Sequence, residues 1–457
     1  MKKKGGKQME ESWGMQEFMG SAVEDKREAK SLSLMADRLL ANPELSFSSA
    51  VGENFRKSAW RIFSKQEVDV SYGHYRQTSK RCADQDVVLV SQDTTDLNYA
   101  SHVATEGLGD LGGSHVNPGL CLHTAMALSE QGTALGLVGQ KLWPPQSTGR
   151  TKQVQFYPLE EKESYRWVEA LQWVDQHLAK AKKVIVISDR ESDFYEYMAA
   201  RRSKHVELLF RAHHLNRKVH YEQEKMLLKE VVFPNTTKVE VYLPRTSKRK
   251  ERNAKLQVSW GKITCPVPTY KKGEDIDLWV VVAQETHTPA GEEPRSEPPL
   301  LWYLLTTINI EDQAAALLMI DYYRKRWVIE RWHMVLKSGM QIEKLQFDTF
   351  TRLSHAIAML CIVAWQLIWL KHLAAESAQL AAEKIFEPLQ IEVLEKHSGR
   401  KELSVQQALI IIAALAGFTP TKKQPFPGEK TMWRGWAIFS QLCHGYLLAS
   451  QINYETG

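Results

Sequence analysis

Three acidic residues stand where their carboxylates could take part in chemistry. Asp93 ends the apolar run DVVLVSQD (86–93), Asp189 follows the strand pattern VIVIS (184–188), and Glu330 lies in an aromatic, charged stretch. A carboxylate is well placed at the carboxyl edge of a sheet, where α/β proteins build sites. Hard oxygen ligands suit Mg²⁺ or Mn²⁺, and two such ions about 3.5–4 Å apart can support phosphoryl transfer.

A simpler interpretation exists for each of these acids. A single aspartate after a strand is commonly a cap or turn residue. Three acids on separate elements of one α/β unit weaken that interpretation, but their spacing alone does not prove a metal site. Both interpretations stay open at this point.

The stretch DYYRKRWVIERWHMVLKSG (321–339) has the pattern of a helix. At about 100° per residue, four of its polar side chains fall within about 60° of one another. We therefore expect one narrow stripe on this helix, and we expect Trp327 and Trp332 to pack in the core. The stripe consists of Tyr323, Arg326, Glu330 and Lys337.

The elements that must position these groups change character along the chain. Residues 1–80 are typical of helices, and strands then alternate with helices around the two aspartates. Residues 205–310 are mostly β, and the chain is helical again from residue 311. This order predicts an α/β fold around a mixed sheet.

Basic residues cluster in two places. In the N-terminal helices they fit either a small bundle with a solvated basic face or a DNA-binding module, and composition does not decide between the two. The segment RTSKRKERNAK (245–255) has six basic residues against one acid. That charge density favours a phosphate-gripping loop over a solvated hairpin tip.

The bulk composition indicates a globular protein. The chain has 457 residues, 43% of them hydrophobic and 25% charged, with a net charge of +5. That length predicts two or three domains, or one domain with a large insertion. The mild positive charge is only a weak indication of a polyanionic partner.

Other classes of protein are disfavoured. The five cysteines show no C-x-x-C spacing, so we expect neither a zinc site nor a disulfide framework. The N-terminus lacks the apolar run of a secretory signal, and the apolar stretch 356–370 is short enough for a core helix rather than a membrane span. We expect a bacterial cytoplasmic protein without membrane contact.

Three motifs in order carry a family resemblance. QDTTDLNY surrounds Asp93, ISDRESDFYEYM surrounds Asp189, and Y-x2-R-x3-E-x6-K runs from Tyr323 to Lys337. Together they resemble the motifs of bacterial DDE transposases of the insertion-sequence-four family, which carry a YREK signature. The likeness spans about residues 13 to 450, and its strength lies in the order and spacing of motifs that are individually weak.

The resemblance implies an architecture. It implies an RNase H-like catalytic core of the retroviral-integrase type over residues 81–365, with a large β insertion at about 205–310. A helical DNA end-recognition domain would occupy residues 1–80, and a helical dimerisation domain would occupy residues 366–457.

The resemblance also implies roles for single residues. Asp93, Asp189 and Glu330 would be the catalytic triad and would hold two Mg²⁺ ions, with Mn²⁺ able to substitute. The charged stripe would face inward, with Arg326 and Lys337 holding phosphates beside Tyr323. Further DNA contacts would come from Trp302, stacking at a flipped base, Arg211 at a DNA hairpin, Lys30 and Arg61 in the N-terminal domain, and Lys248, Arg249, Lys250 and Arg252 in the basic loop.

The activity implied is cut-and-paste DNA transposition. A homodimer on paired DNA ends would bind terminal inverted repeats, cleave both strands through a hairpin intermediate and join the 3′ ends to target DNA. The alternatives are a catalytically inactive DNA-binding relative and another RNase H-like nuclease. The chain departs from the family at Met334, where a lysine is expected, so one phosphate contact is in doubt.

Overall fold

The computed structural model describes residues 12–43, 45–102, 104–112, 115–145, 157–243, 251–286, 299–422 and 424–455. The helices of these ranges are α1 (Trp13–Phe18), α2 (Lys26–Ala41), α3 (Phe47–Val51), α4 (Glu53–Phe63), α5 (Tyr72–Ala83), α6 (Tyr165–His177), α7 (Tyr195–Met198), α8 (Gln313–Lys325), α9 (Trp327–Met334), α10 (Phe350–Glu376), α11 (Pro388–Ser398), α12 (Val405–Leu415) and α13 (Glu429–Glu455).

The strands alternate with helices in the middle of the chain, as the sequence predicted. They are β1 (Val88–Asn98), β2 (Gly109–Asp110), β3 (Pro118–Ser129), β4 (Ala134–Trp143), β5 (Val184–Ser188), β6 (Val206–Arg211), β7 (Lys218–Tyr221), β8 (Glu224–Leu227), β9 (Asn235–Leu243), β10 (Arg252–Cys265), β11 (Ile276–Glu285) and β12 (Leu301–Thr306).

The chain forms two compact units. Unit 1 comprises Met1–Cys82, Thr94–Gly149 and Glu330–Gly457, and unit 2 comprises Ala83–Asp93 and Arg150–Ile329. This division differs from the expected domains at 1–80, 81–365 and 366–457. The N-terminal and C-terminal helices share one unit, because α2 and α4 pack against α10 and because α2 also contacts α13.

Unit 1 is built around α10. Thr349 caps this helix by accepting from the Arg352 N–H, and its apolar face explains its burial. Its most apolar 18-residue window, with a mean hydropathy of 1.9, would be long enough to cross a membrane but is 78% buried inside the fold. The helix is therefore buried as the sequence predicted for a core helix.

Several hydrogen bonds join the N-terminal helices to the rest of unit 1, and two of them involve Trp436 and His355. The Trp436 indole N–H of α13 donates to the Leu40 carbonyl at the end of α2, at 2.9 Å. His355 of α10 contacts the Phe63 carbonyl through Nδ1 at 2.9 Å. Because buried polar groups need such partners, these bonds fix how the helices meet.

A buried ionic network completes this core. The His74 ring accepts from the Leu137 N–H through Nε2 at 2.9 Å, so Nδ1 carries the proton and donates to Glu17 at 2.6 Å. Arg81 donates to the other Glu17 oxygen at 2.7 Å. Burial alone would raise the pKa of Glu17, but its interactions with His74 and Arg81, hydrogen bonds included, outweigh burial and lower that pKa to about 2.

Unit 2 contains a mixed sheet. The first part of β1 pairs with β5 in parallel, and β5 pairs in parallel with β6. From β6 onward the neighbours β12, β11 and β10 are antiparallel, and β9 and β7 flank β10. This confirms the prediction that residues 205–310 are mostly β.

The basic loop expected at 245–255 falls partly outside the described residues, which do not include Lys248, Arg249 and Lys250. Arg252 is described, and it belongs to β10 rather than to a solvated loop. Its guanidinium makes a two-pronged bond to the buried Glu285, at 3.1 Å through Nε and 2.9 Å through Nη2. In this arrangement the fork binds a structural carboxylate, and the expected DNA contact of Arg252 remains a prediction.

We expect unit 1 to lose stability in mild acid because His372 is buried. Burial, reinforced by Lys371 and Arg331 and opposed by Glu429, lowers its pKa from 6.5 to about 4. Between pH 6.5 and 4 the imidazole is therefore protonated in the unfolded chain but neutral in the folded one. As the pH is lowered through that window, the free energy of unfolding falls by about 1.4 kcal/mol per pH unit. Thermal unfolding from pH 7.5 to 4.5 measures this fall.

In His372→Gln, whose side-chain oxygen can still accept from the Ala134 N–H, the fall should be shallower. The control His444→Gln removes an exposed histidine and should leave the pH dependence unchanged. Equal pH dependence in the wild type and His372→Gln would contradict this account.

Candidate functional site

Asp93 and Asp189 lie at matching positions of neighbouring parallel strands. The last paired residues of β1 and β5 are Ser91 and Ile187, and each aspartate lies two residues further along. Adjacent strands are about 4.8 Å apart, so this register brings two carboxylates to one place. Asp189 directly follows its strand, as predicted, but β1 continues through Asp93 to Asn98.

Contacts in unit 1 explain why β1 continues past Asp93. In unit 1, the hydroxyl of Thr94 lies 2.8 Å from Nδ1 of His123 on β3, and the Tyr99 N–H donates to the Pro118 carbonyl at 2.8 Å. These tertiary contacts extend the strand beyond the apolar run that the sequence shows.

Asp189 also has a local structural role. Its Oδ1 accepts from the Glu191 N–H at 2.8 Å and caps the 3-10 turn Arg190–Ser192. The backbone at Asp189 is still extended, with φ −86° and ψ −166°. The turn-cap role that the sequence left open is therefore present, and it uses one of the two carboxylate oxygens.

Arg326 faces Asp93 within unit 2. Its Nη1 lies 3.5 Å from Asp93 Oδ2, and its side chain is only 9% exposed. Its backbone carbonyl accepts from the Ser91 hydroxyl at 3.2 Å, which ties the end of α8 to β1. The guanidinium also lies over the Tyr323 ring, 5.9 Å from its centroid.

Two further arginines lie near these acids. Arg211, at the end of β6, interacts electrostatically with Arg190, Arg326 and Asp189, and burial lowers its pKa. Its Nη2 donates to the Leu301 carbonyl at 3.2 Å. Arg190 was missed in the sequence analysis, although its position directly after Asp189 was a usable signal. Guanidinium groups suit phosphate because their planar fork donates two parallel bonds.

Tyr323 and Trp302 form an aromatic layer under this cluster. Their ring centroids are 5.3 Å apart in an edge-to-face arrangement. Burial raises the pKa of the Tyr323 hydroxyl, with Arg326 and Arg211 opposing the rise. Trp302 is only 5% exposed, so its ring packs in the fold and does not project toward solvent.

The expected single stripe is interrupted in the structure. Helix α8 ends at Lys325, α9 begins at Trp327, and Val335–Gly339 is a π-helical turn. Tyr323 and Arg326 are buried, whereas Glu330 and Met334 are exposed. The 100° count assumes an uninterrupted α-helix, and the alignment of Lys337 with the other stripe residues remains a prediction.

Glu330 and Lys337 belong to unit 1, where the start of α13 supports their segment. Arg331 Nη1 lies 3.7 Å from Glu429 Oε1, and Lys371 of α10 donates to the same oxygen at 2.5 Å. Trp433 packs where a side chain at Gly339 would stand. Trp332 is fully buried and donates to the Cys361 carbonyl at 3.2 Å, which confirms its predicted core role. Trp327 is half-buried.

The two predicted N-terminal DNA contacts are on the surface of unit 1. Lys30 is exposed on α2. Arg61 is exposed on α4, with its Nε 3.9 Å from Glu28 Oε1. Both side chains are accessible to a partner, and their proposed role remains a prediction.

The donor set can be compared with what a divalent cation needs. Within the described ranges, no group of three or more His, Cys, Asp and Glu side chains could hold a metal ion. The two aspartates alone supply hard oxygens, which fit Mg²⁺ because that ion takes one or two carboxylates and completes its shell with waters and substrate phosphates. The aspartate pair is thus chemically suitable for Mg²⁺. In the structure the Arg326 guanidinium is the cation that faces Asp93.

Comparison with known proteins adds a family finding. Residues 153–366 match the family model described as the transposase DDE domain. The matched stretch contains Asp189, Arg326 and Glu330, whereas Asp93 precedes it. It covers slightly less than half of the 457 residues.

A likeness to a solved structure was also found. The cryo-EM structure of the piggyBac transposase synaptic complex with hairpin DNA aligns with a TM-score of 0.35 and 8% identity. The alignment covers 93% of this chain and 73% of that chain. A score of this size does not establish a common fold.

The two roles of Asp189 can be separated by mutation. Asparagine caps turns about as well as aspartate, so Asp189→Asn should keep the free energy of unfolding within about 0.5 kcal/mol of the wild type, whereas Asp189→Ala should lose about 1 kcal/mol. Urea denaturation measures both. If Asp189 is also a ligand, both variants should bind Mn²⁺ more weakly by electron paramagnetic resonance. Unchanged Mn²⁺ affinity in Asp189→Asn would leave the turn cap as its only role.

Proposed function

We propose that this protein is a DDE transposase that cleaves and joins DNA strands. The observation that carries the proposal is the register of β1 and β5, which places Asp93 beside Asp189 under three arginines. The match of residues 153–366 to the transposase DDE domain supports it. The order of the three motifs supports the finer assignment to the insertion-sequence-four family with the YREK signature, similar to the Tn-five transposase.

We further propose an RNase H-like core for the region around the paired aspartates. Parallel pairing of β1, β5 and β6 is compatible with such a core, and β7 to β11 would be its insertion. The exposed bases Lys30 and Arg61 would take part in recognising the ends of the transposon.

The acids have a proposed role as ligands. Asp93, Asp189 and Glu330 would hold two Mg²⁺ ions, which when bound supply an activated oxygen and stabilise the leaving one. Glu330 follows Arg326 by four residues, about one helical turn, although the exposed carboxylate belongs to the other unit. No nucleophilic serine or cysteine is required, because water and DNA 3′-hydroxyls attack the phosphate directly.

The cations have a proposed role as phosphate ligands. The Arg326 guanidinium is held by burial and by the Tyr323 ring, so it loses little freedom on binding a scissile phosphate. Arg211 and Arg190 would neutralise the neighbouring phosphates, and Lys337 would contribute from the π-helical turn. Arg326 would then exchange its contact with Asp93 for a contact with the DNA strand.

The full reaction proposed is cut-and-paste transposition. A homodimer would pair two DNA ends, cleave each through a hairpin and join the 3′ ends to target DNA. An RNase H-like nuclease of another kind, or an inactive relative, would share the aspartates but would not form the hairpin or join the ends.

Glu330→Ala should abolish strand cleavage and leave DNA-end binding within about twofold of the wild type. The reason is that an exposed carboxylate contributes little to folding, whereas loss of a ligand removes the reaction. A gel-shift and a cleavage assay on duplexes that carry the element's terminal repeats measure the two properties. The control Glu383→Ala removes another exposed glutamate of unit 1 and should leave both strand cleavage and DNA-end binding unchanged. Retained cleavage in Glu330→Ala would refute the assignment.

A conservative substitution is needed to test the role of Trp302. It is buried against Tyr323, so Trp302→Ala should lose about 3–5 kcal/mol of stability as well as any stacking. Trp302→Phe keeps an aromatic ring with a smaller stacking face. We expect it to nick the first strand at nearly the wild-type rate and to form hairpins several-fold more slowly, as read on sequencing gels. An equal loss at both steps would contradict a role in base flipping.

A further inference from the structure

Unit 1 contains a cavity of about 640 Å³ that the proposed reaction does not use. Its walls are the end of α2, the loop into α3, helix α4 and residues 339–348, which follow the π-helical turn. That volume is in the range of small-molecule sites, which are about 300–1,000 Å³. The cavity is therefore large enough for a nucleotide.

Trp60 forms an aromatic platform at this cavity. Its side chain is 56% exposed, although the Arg352 guanidinium covers one ring face at 3.8 Å from the centroid. Arg352 is itself fixed by bonds to Ser64 Oγ at 2.8 Å and to Asp348 Oδ1 at 2.6 Å. The indole is thus held from one side, and its other face is available to a planar ligand.

Cations and amides surround this platform. Arg56 lies one helical turn before Trp60 on α4, and Lys344 lies across the cavity; both are exposed and line it. The side-chain amides of Asn42, Gln341 and Gln346 also line it. An aromatic face, amides and flanking cations match the stacking surface, hydrogen-bonding edge and phosphate of one nucleotide.

We propose that this cavity, the Trp60 pocket, receives one unstacked nucleobase of a bound DNA strand. The base stacks on Trp60, and Arg56 and Lys344 bind its flanking phosphates. The pocket begins at Gly339, two residues after Lys337, and both residues belong to unit 1. The assignment of the Trp60 pocket rests on the proposed function in one respect, namely that the partner is DNA.

An apolar side chain of a second copy of this chain fits the pocket less well. It would cover Trp60 and Leu45 but would leave the cations Arg56 and Lys344 without partners. Burying such groups unpaired is unfavourable, whereas a nucleotide satisfies them. Helix α4 also exposes three basic residues, Arg56, Lys57 and Arg61, against one exposed acid, Glu53.

The test uses the full chain in EDTA, so that no strand is cut. Two random-sequence duplexes are compared by fluorescence anisotropy, one fully paired and one with a single unpaired 2-aminopurine. The wild type should bind the unpaired probe about tenfold more tightly, and 2-aminopurine fluorescence should fall on stacking. Trp60→Ala should lose the preference, Trp60→Phe should keep most of it, and Tyr72→Ala, another exposed aromatic of unit 1, should keep it fully.

A matched pair of cations sharpens the comparison. Arg56 lines the pocket, whereas its neighbour Lys57 does not. Arg56→Ala should reduce the preference for the unpaired probe, while Lys57→Ala should weaken binding to both probes by the same factor.

The outcomes separate this proposal from the proposed function. Equal binding of both probes by the wild type, or an unchanged preference in Trp60→Ala, overturns the pocket alone. A fall in dimer formation on sedimentation of Trp60→Ala without DNA, with no change in preference, assigns the pocket to a second copy and also overturns it. Failure to bind either probe overturns the pocket and the DNA partner together.

Discussion

Two carboxylates forced into register are the constraint around which unit 2 is organised. Parallel pairing of β1 with β5 brings Asp93 and Asp189 to the same edge of the sheet. Two carboxylates at one edge are stabilised by cations nearby. The chain supplies Arg326 against Asp93, with Arg211 and Arg190 beside Asp189. The same arginines that balance the acids therefore create a surface for phosphate.

The aromatic layer supports the arginine that faces Asp93. Tyr323 packs edge to face on Trp302 and lies under the Arg326 guanidinium. Tyr323 and Trp302 are both buried, so core packing holds the ring that lies beneath the guanidinium. Core packing and the polar site are thus one assembly, and a change in either ring alters the position of the charge.

Local patterns in the sequence predicted the parts of the fold that depend on local physics. The strand at 184–188 follows from its apolar run, and the mostly β region at 205–310 follows from its series of short β-rich segments. The extension of β1 to Asn98 was not predictable, because pairing in unit 1 holds polar residues in a strand. The hydrogen bond from Arg252 to Glu285 was not predictable either, since the two residues are 33 positions apart in the sequence.

The candidate site was predictable as a set of residues but not as a geometry. The chain order of Asp93, Asp189 and the helical stripe indicated the chemistry, whereas the burial of Trp302 and the contribution of Arg190 required the sheet to be in place. The stripe itself shows why. Helical arithmetic assumes one uniform helix, and the structure has a junction at Arg326 and a π-helical turn at Val335–Gly339.

The π-helical turn Val335–Gly339 leads into the wall of the Trp60 pocket within unit 1. In a π-helix each bond spans five residues instead of four, so side chains after Val335 take directions that an α-helix would not give them. The chain then continues through Gln341, held at φ 49°, and residues of the range 339–348 line the pocket together with α4. Trp433 packs at Gly339 and supports this course from α13. Because Lys337 lies in the turn itself, its proposed phosphate contact and the pocket wall depend on the same local irregularity.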